Sequence, residues 1–436
     1  MVSSGANVCR RRVEVRYAIV GTGARAQMWA RELSRHGELV ALADTNPARV
    51  AVLQKSYPAP GYDAADVPAM LAKERIDLLV VCTVDATHDE YIVAGLEAGC
   101  DVVTEKPMTT DADKCRRILD AQRRTGKRVT VGFNYRFHPV HQQVRELLPR
   151  IGEIGSVHFE WVLDVRHGAD YFRRWHRDKA NSGGLLVHKS THHFDLVNWW
   201  LGASPETVTA YGRLFFYGDE AGKRHGYARD YERAHGSPAA ADDPFALQLS
   251  ENDGLRELYL EAEAHDGYHR DQNVFGAGVS IEDDMAVLVR YNTGATMSYH
   301  LTAYSPWEGY RIAFNGSRGR IELDMVESDH VAPRVAGQVK GHSAALHGVE
   351  AAREQGGVSL RLREFWQPPQ DVPVAPFERE GHGGADARMI DALLTDGPSA
   401  LDGARSLLTG LAANESMATE RSVRARDLLD LSEWER

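Results

Sequence analysis

The chain has 436 residues, of which 43% are hydrophobic and 26% charged. Those values fit a globular protein of two or three domains and exclude disordered, collagenous and coiled-coil organisation. Acidic residues outnumber basic ones by 62 to 51, a net charge of −11, which disfavours nucleic acid or an anionic membrane as the main partner, because phosphate surfaces attract basic faces.

Residues 13–20 (VEVRYAIV) predict a strand, followed by the turn Gly21-Thr22-Gly23-Ala24-Arg25-Ala26 and a helix over residues 27–36. Residues 38–44 (ELVALAD) predict a second strand ending in an acid. Strand, glycine turn, helix, strand and acid, in that order, form the βαβ unit that binds a dinucleotide. Gly21 permits the tight turn, Gly23 lets backbone N–H groups approach a pyrophosphate at the helix N-terminus, and Ala26 allows close helix–strand packing. Asp44 is placed to accept hydrogen bonds from the ribose hydroxyls and to repel a 2′-phosphate. No cation follows it before Arg49, so NAD is expected over NADP. Arg25 is a candidate phosphate contact.

The alternation continues. Residues 62–73 read as a loop and helix, 76–82 as a strand, 83–88 as a loop and 89–98 as a helix. Then come a strand at 101–105, a helix at 111–125 and a strand at 127–132. Near-continuous apolar strands separated by helices imply a doubly wound parallel sheet covered on both faces. Its ligands lie beyond the carboxyl ends of the strands, where Gly21, Asp44, Thr83, Lys106 and Asn134 fall. Residues 13–134 are assigned to this α/β Rossmann domain.

The pattern then changes. Residues 157–165 alternate as a strand, and 167–179 gather Tyr171, Arg173, Trp175, His176 and Arg177, which suits a sugar site and a charged loop equally well. Strands are predicted at 206–216, 285–291, 295–304, 310–315 and 319–325, joined by short turns at 292–294 and 315–319. Residues 135–436 are therefore read as an α+β domain with an open, mostly antiparallel sheet. Residues 217–280 form an insertion, either a lid with a helix at 246–263 broken at Gly254 or a surface excursion. The tail from 381 predicts two helices, with Asp386 in the first turn.

Cys9, Cys82, Cys100 and Cys115 show no CxxC spacing, so neither a disulfide framework nor a thiolate zinc site is expected, and a reducing cytoplasm is the expected compartment. No run of roughly 18 or more apolar residues predicts a membrane span. Arg10-Arg11-Arg12 lacks the apolar stretch of a twin-arginine signal and is expected to be a basic N-terminus.

Several segments together resemble the Gfo/Idh/MocA oxidoreductases, the family of glucose-fructose oxidoreductase and inositol dehydrogenase. They are YAIVGTGARAQMWA with ELVALADTNP, then VVCTVDATHDEYIVAGLEAGCDVVTEKPMTT, GFNYRFHPV, SGGLLVHKSTHHFDLVNWWLG and GHGGADARMIDALL. The resemblance implies that Lys106 of the Glu105-Lys106-Pro107 tripeptide lies at the nicotinamide end of the cofactor and contacts the reacting hydroxyl, with a cis bond before Pro107. The family motif GGGxLxDxGxHxxD aligns with residues 182–195 so that its histidine is His192 and its final acid Asp195. Its first acid is replaced by His188 and a glycine by Ser190, so the family proton relay does not carry over intact.

His188 and His192, four residues apart, are expected on one helix face. Three readings stay open: a proton-transfer pair with His192 leading, two ligands of a divalent metal, or packing histidines. Expected cofactor contacts are Gly21, Gly23, Ala24, Arg25, Asp44, Thr83, His88, Glu105, Lys106 and Asn134. Expected substrate contacts are Lys106, Tyr135, Arg166, Trp175, His188 and His192, with Lys106, His192 and His188 catalytic.

The implied activity is NAD-dependent oxidation of a secondary hydroxyl on a sugar, cyclitol or sugar derivative. The first alternative is a glycosidase or lyase that uses NAD transiently with no net redox; the second is a non-catalytic sugar-sensing protein. A small-molecule carbohydrate or glycoside is the expected partner, without nucleic acid or membrane. A homo-oligomer, dimer or tetramer, is expected from the family's use of its second sheet.

Overall fold

The computed structural model describes residues 15–331, 356–377, 381–393, 395 and 397–435. Cys9 and Arg10-Arg11-Arg12 lie outside them.

The first sheet is wholly parallel, with strand order β3-β2-β1-β4-β5-β6. These strands are β1 (Val15–Val20), β2 (Gly37–Asp44), β3 (Gly61–Asp63), β4 (Leu78–Val81), β5 (Asp101–Thr104) and β6 (Val129–Val131). β4 and β6 are buried at every position, as a sheet flanked by helices on both faces demands. The sequence pattern predicts five of these strands. The sixth, β3, is a three-residue edge strand, too short for hydrophobic periodicity to mark. The strand order reverses beside β1, which leaves a crevice beyond the carboxyl ends of β1 and β4.

The second sheet has nine strands in the order β14-β13-β12-β11-β7-β10-β9-β8-β15. They are β7 (Ile154–Asp164), β8 (Pro205–Arg213), β9 (Asp284–Tyr291), β10 (Thr296–Ser305), β11 (Glu308–Gly316), β12 (Gly319–Ser328), β13 (Gly357–Glu364), β14 (Gln370–Asp371) and β15 (Val423–Arg424). β7 and β10 pair in parallel; every other neighbouring pair is antiparallel. Buried and exposed positions alternate along β9, β10 and β12, so one face carries the core. Phe159, Trp161, Phe194, Trp200 and Phe314 fill that core, while Tyr211 and Leu288 stand exposed.

Three segments depart from their sequence-based readings. Residues 167–179 are not a loop throughout: the helix Val165–Arg173 begins at Asp164, whose side chain accepts from the Arg166 and His167 N–H groups. The helix expected at 246–263 is a chain of short turns, Leu249–Glu251, Asp253–Leu255, Arg256–Leu260 and Glu263–Asp266. In the tail, the helix Ala400–Thr419 starts at a capping box of Ser399 and Asp402, and Val423–Arg424 joins the second sheet. The other tail helix, Gly381–Leu393, returns to the first sheet, where Met389, Ile390 and Leu393 pack with Ile19, Trp29 and Val80. Among the described residues no helix is long and apolar enough to cross a membrane.

Candidate active site

A cavity of about 970 Å³ joins the carboxyl ends of the first sheet to the second. Gly21, Gly23, Ala24, Arg25, Asp44, Thr83, Glu105, Lys106, Asn134, Tyr135, Trp175, His188 and His192 all line it. Of the residues expected there, His88 and Arg166 do not.

The glycine turn fits a dinucleotide. Gly21 has φ +86°, and a Cβ on it would lie 2.6 Å from the Cys82 carbonyl, so only glycine lets β1 and β4 meet there. A Cβ on Gly23 would meet nothing within 4 Å; the open space lies at the start of the helix Ala24–Leu33, the kind of place that suits a pyrophosphate. Gly21→Ala is therefore expected to destabilise the fold by more than about 1 kcal/mol. Gly23→Ala is expected to keep wild-type thermal stability while weakening nucleotide binding. Paired melting curves and nucleotide titrations check both, and equal behaviour of the two variants would contradict the assignment.

Asp44 lines the cavity at the end of β2. Its Oδ2 accepts from the Thr22 N–H at 2.6 Å and hydroxyl at 3.0 Å, and its Oδ1 accepts from the Asn46 N–H at 2.9 Å. Arg25 is turned toward protein rather than held free for a phosphate. Its Nε donates to Glu105 Oε1 at 2.7 Å, and its Nη1 lies 3.7 Å from Asp386. The Trp29 indole donates to the same Glu105 oxygen at 2.9 Å. His88 is fully buried, with ring nitrogens 2.8 Å from the Pro107 carbonyl and 3.2 Å from the Thr83 carbonyl. It braces the loops that carry Lys106 and Thr83 instead of facing a cofactor.

Lys106 stands at the centre, and its bond to Pro107 is cis. Its Nζ lies 3.1 Å from His188 Nε2 and donates to the His188 carbonyl oxygen at 3.1 Å. The other ring nitrogen, Nδ1, lies 2.5 Å from Asp85 Oδ2. An ammonium at Nζ requires Nε2 to accept, so the proton of a neutral imidazole sits on Nδ1 and is donated to Asp85. Burial supports that assignment by holding His188 well below its usual range, with the Lys106 charge adding to the effect. Burial also lowers Lys106 to about 8, against the pull of Asp85 and Glu105, and raises Asp85 against the pull of Lys106 and Arg174.

Asp85 is the residue that sequence reasoning missed. The acid absent from position 188 is supplied by the loop after β4, 103 residues earlier in the chain. Its signal was an acid four residues beyond a buried strand's carboxyl end.

The two histidines do not share one helix. His188 ends the turn Leu185–His188, and His192 is the second residue of the helix Thr191–Leu201, after a break at Lys189 and Ser190. His192 stacks on Tyr135, with ring centroids 4.4 Å apart. Both nitrogens of His188 are engaged, one of them with a cation. His193 is structural: its ring stacks on Trp161 and its Nδ1 lies 2.7 Å from the Tyr299 hydroxyl. Asp195 accepts two hydrogen bonds from Arg136, at 2.7 and 2.5 Å.

Opposite the first sheet, Tyr135, Trp161, Tyr171 and Trp175 supply aromatic walls, and Lys189, Arg174, Glu308 and His167 supply polar groups. Lys189 Nζ donates to the Tyr135 hydroxyl at 3.1 Å, and His167 lies 2.7 Å from Glu308. The aromatic and basic segment is divided. Tyr171, Trp175 and His176 reach the cavity, whereas Arg173 and Arg177 donate to backbone carbonyls of the insertion. Arg166 sits at the start of the helix Val165–Arg173, outside the lining.

The family description "Oxidoreductase family, NAD-binding Rossmann fold" matches residues 15–133, and its companion "C-terminal alpha/beta domain" matches residues 145–350. "Putative oxidoreductase YteT" of Bacillus subtilis (strain 168) is 34% identical over 422 residues, covering 91% of this chain and 94% of that protein. Inositol 2-dehydrogenase of Rhizobium meliloti (strain 1021) is 32% identical over 200 residues, 45% of this chain and 58% of that protein. The fold is also that of the WlbA dehydrogenase from Bordetella pertussis, solved in complex with NADH and UDP-GlcNAcA. That likeness has a TM-score of 0.63 at 18% identity and covers 94% of this chain and 98% of that one. The chain therefore belongs to the Gfo/Idh/MocA family of oxidoreductases, with the NAD-binding Rossmann fold in its first third.

Proposed function

We propose that the protein oxidises a secondary hydroxyl of a sugar, cyclitol or sugar derivative, with NAD as the hydride acceptor. The observation that carries this reading is the Lys106–His188–Asp85 chain, set in the same cavity as the Gly21, Gly23 and Asp44 cradle. The name of the inositol dehydrogenase relative supports the substrate class. Bound nicotinamide supplies the carbon that receives the substrate's hydride.

The protein's own groups handle the proton. In its free-base form Lys106 Nζ accepts the hydroxyl proton as the hydride leaves the same carbon, and it then holds that proton against His188 Nε2. Asp85 fixes the tautomer of His188 and stabilises any positive charge shared onto the ring. His192, stacked on Tyr135, hydrogen-bonds the substrate from the other side, and the residue that backs Lys106 is His188 rather than His192. The faces of Tyr135, Trp161 and Trp175 take the apolar C–H surfaces of the ring, while Lys189 and Glu308 meet its remaining hydroxyls.

A second reading, glycoside cleavage with transient oxidation and no net redox, is favoured by one observation. Tyr259, Asp266 and Tyr268 of the insertion wall the cavity beside Asp44, and a cofactor restored in place needs no exit. One assay separates the two. Incubation with NAD and a panel of sugars, cyclitols and aryl glycosides is expected to accumulate NADH with at least one free polyol. Release of aglycone at catalytic NAD without NADH would favour the second reading, and no turnover on any member would defeat both.

A further inference from the structure

The insertion reaches the cavity at Tyr259, Asp266 and Tyr268. Its short turns dock on the first domain beside the expected ribose site. Leu247, Leu249, Leu255, Leu258 and Tyr259 cluster with Ala24, the first residue of the helix after the glycine turn. The Asn46 side chain donates to the Ala262 carbonyl and to Asp266, each at 2.9 Å. Arg49 Nε donates to the Leu258 carbonyl at 3.2 Å, and Lys55 pairs with Glu257 at 2.8 Å.

The opposite side of the insertion is fixed as well. Arg270, fully buried, lies 2.9 Å from Asp170 of the helix Val165–Arg173. Arg233 pairs with both Glu263 and Asp271. A segment anchored to both domains by buried polar contacts and an apolar cluster is a bridge rather than a swinging lid.

We infer that residues 246–268 clasp the adenosine half of a nicotinamide dinucleotide, and that Asp266 makes the clasp selective by occupying Arg49. The inference rests on the dinucleotide site proposed above. Arg49 is the first cation after Asp44 in the chain, the position from which a guanidinium accommodates a 2′-phosphate in NADP-binding relatives of this fold. Here its Nη2 lies 2.7 Å from Asp266, its Nη1 lies 3.8 Å from Asp44, and its guanidinium lies 5.7 Å from the Tyr268 ring centre. Two carboxylates thus surround the single cation. A 2′-phosphate would enter a site whose positive charge is already neutralised and would meet two negative groups. Asp266 comes from a segment more than 200 residues away, so cofactor choice is set jointly by the Rossmann domain and the insertion.

The test measures binding, not turnover. NAD and NADP are titrated against the wild-type protein and the Asp266→Asn and Asp266→Ala variants, and NAD release is timed by displacement. Wild type is expected to prefer NAD, and both variants to shift the NADP-to-NAD affinity ratio toward NADP by about tenfold or more, the effect of about 1.4 kcal/mol. The alanine variant is also expected to release NAD several-fold faster.

Hydrogen exchange on the wild type needs no variant, and NAD is expected to slow exchange across residues 255–268. Unchanged exchange there, or variants within twofold of wild type in ratio and release rate, would overturn the clasp and leave the proposed activity intact. Failure of the wild type to bind either nucleotide would instead defeat the proposed function, and the clasp with it.

Discussion

Lys106→Ala is expected to lower turnover by roughly a hundred- to ten-thousand-fold, the range for removal of a positioned proton-transfer group. The variant is expected to melt as wild type does, because the Lys106 head group contacts His188 and the cavity rather than the core of either sheet. Nucleotide affinity is expected to fall far less than turnover, since the other half of the cofactor is assigned to Gly21, Gly23 and Asp44. Lys106→Arg is not expected to restore activity: a guanidinium keeps its proton throughout the working range and cannot act as base. Wild-type turnover in the alanine variant would remove Lys106 from the chemistry.

The pH dependence follows from the same residue. Burial lowers the Lys106 ammonium to about 8, so the free base is scarce below that pH and dominant above it. Alcohol oxidation needs the free base, so its rate is expected to rise with pH through a midpoint near 8. Carbonyl reduction needs the ammonium and is expected to fall through the same midpoint. A rate of oxidation that declines across that interval would contradict Lys106 as the acceptor.

Asp85→Asn is the second large effect. The carboxylate accepts the His188 Nδ1 proton at 2.5 Å and favours the charged form of Lys106 through space. An amide in its place can turn its NH₂ toward Nδ1, which moves the ring proton to Nε2 and sets two donors against each other at Lys106. Turnover is expected to fall by about two orders of magnitude or more. With the stabilising charge gone, the midpoint of the pH–rate curve is expected to move below 8. That shift distinguishes a group acting on Lys106 from one that merely fills space. Lower activity with an unmoved midpoint would assign Asp85 to packing alone.

The first domain and half of the site were legible in sequence because the signals are local. Gly21, Gly23 and Asp44 fall within one βαβ unit, and Lys106 lies two residues after the end of β5. The sequence pattern located β7 to β12, of which β9, β10 and β12 each have one buried face and alternate accordingly. The edge strands β3, β14 and β15 escaped because two or three residues carry no period, and the eight-residue β13 escaped as well.

Spacing alone set His188 and His192 on one helix, but the chain breaks between them at Lys189 and Ser190. His88 sits at the right loop for a cofactor contact, yet its ring turns inward to two carbonyls. Side-chain direction at a strand end depends on what the neighbouring loop offers, which no linear pattern records.

The amino-acid order by itself determined a dinucleotide fold, a lysine at the end of a strand and a histidine segment in the second domain, since each follows from neighbours within a few residues. Only the tertiary structure decided that Asp85 completes the lysine–histidine pair, that Arg25 is held by Glu105, and that Asp266 neutralises Arg49. Those pairings join residues 103, 80 and 217 positions apart in the sequence. Electrostatic partners at such separations are chosen by how the domains pack, and the same charges in another packing would have found different counter-charges.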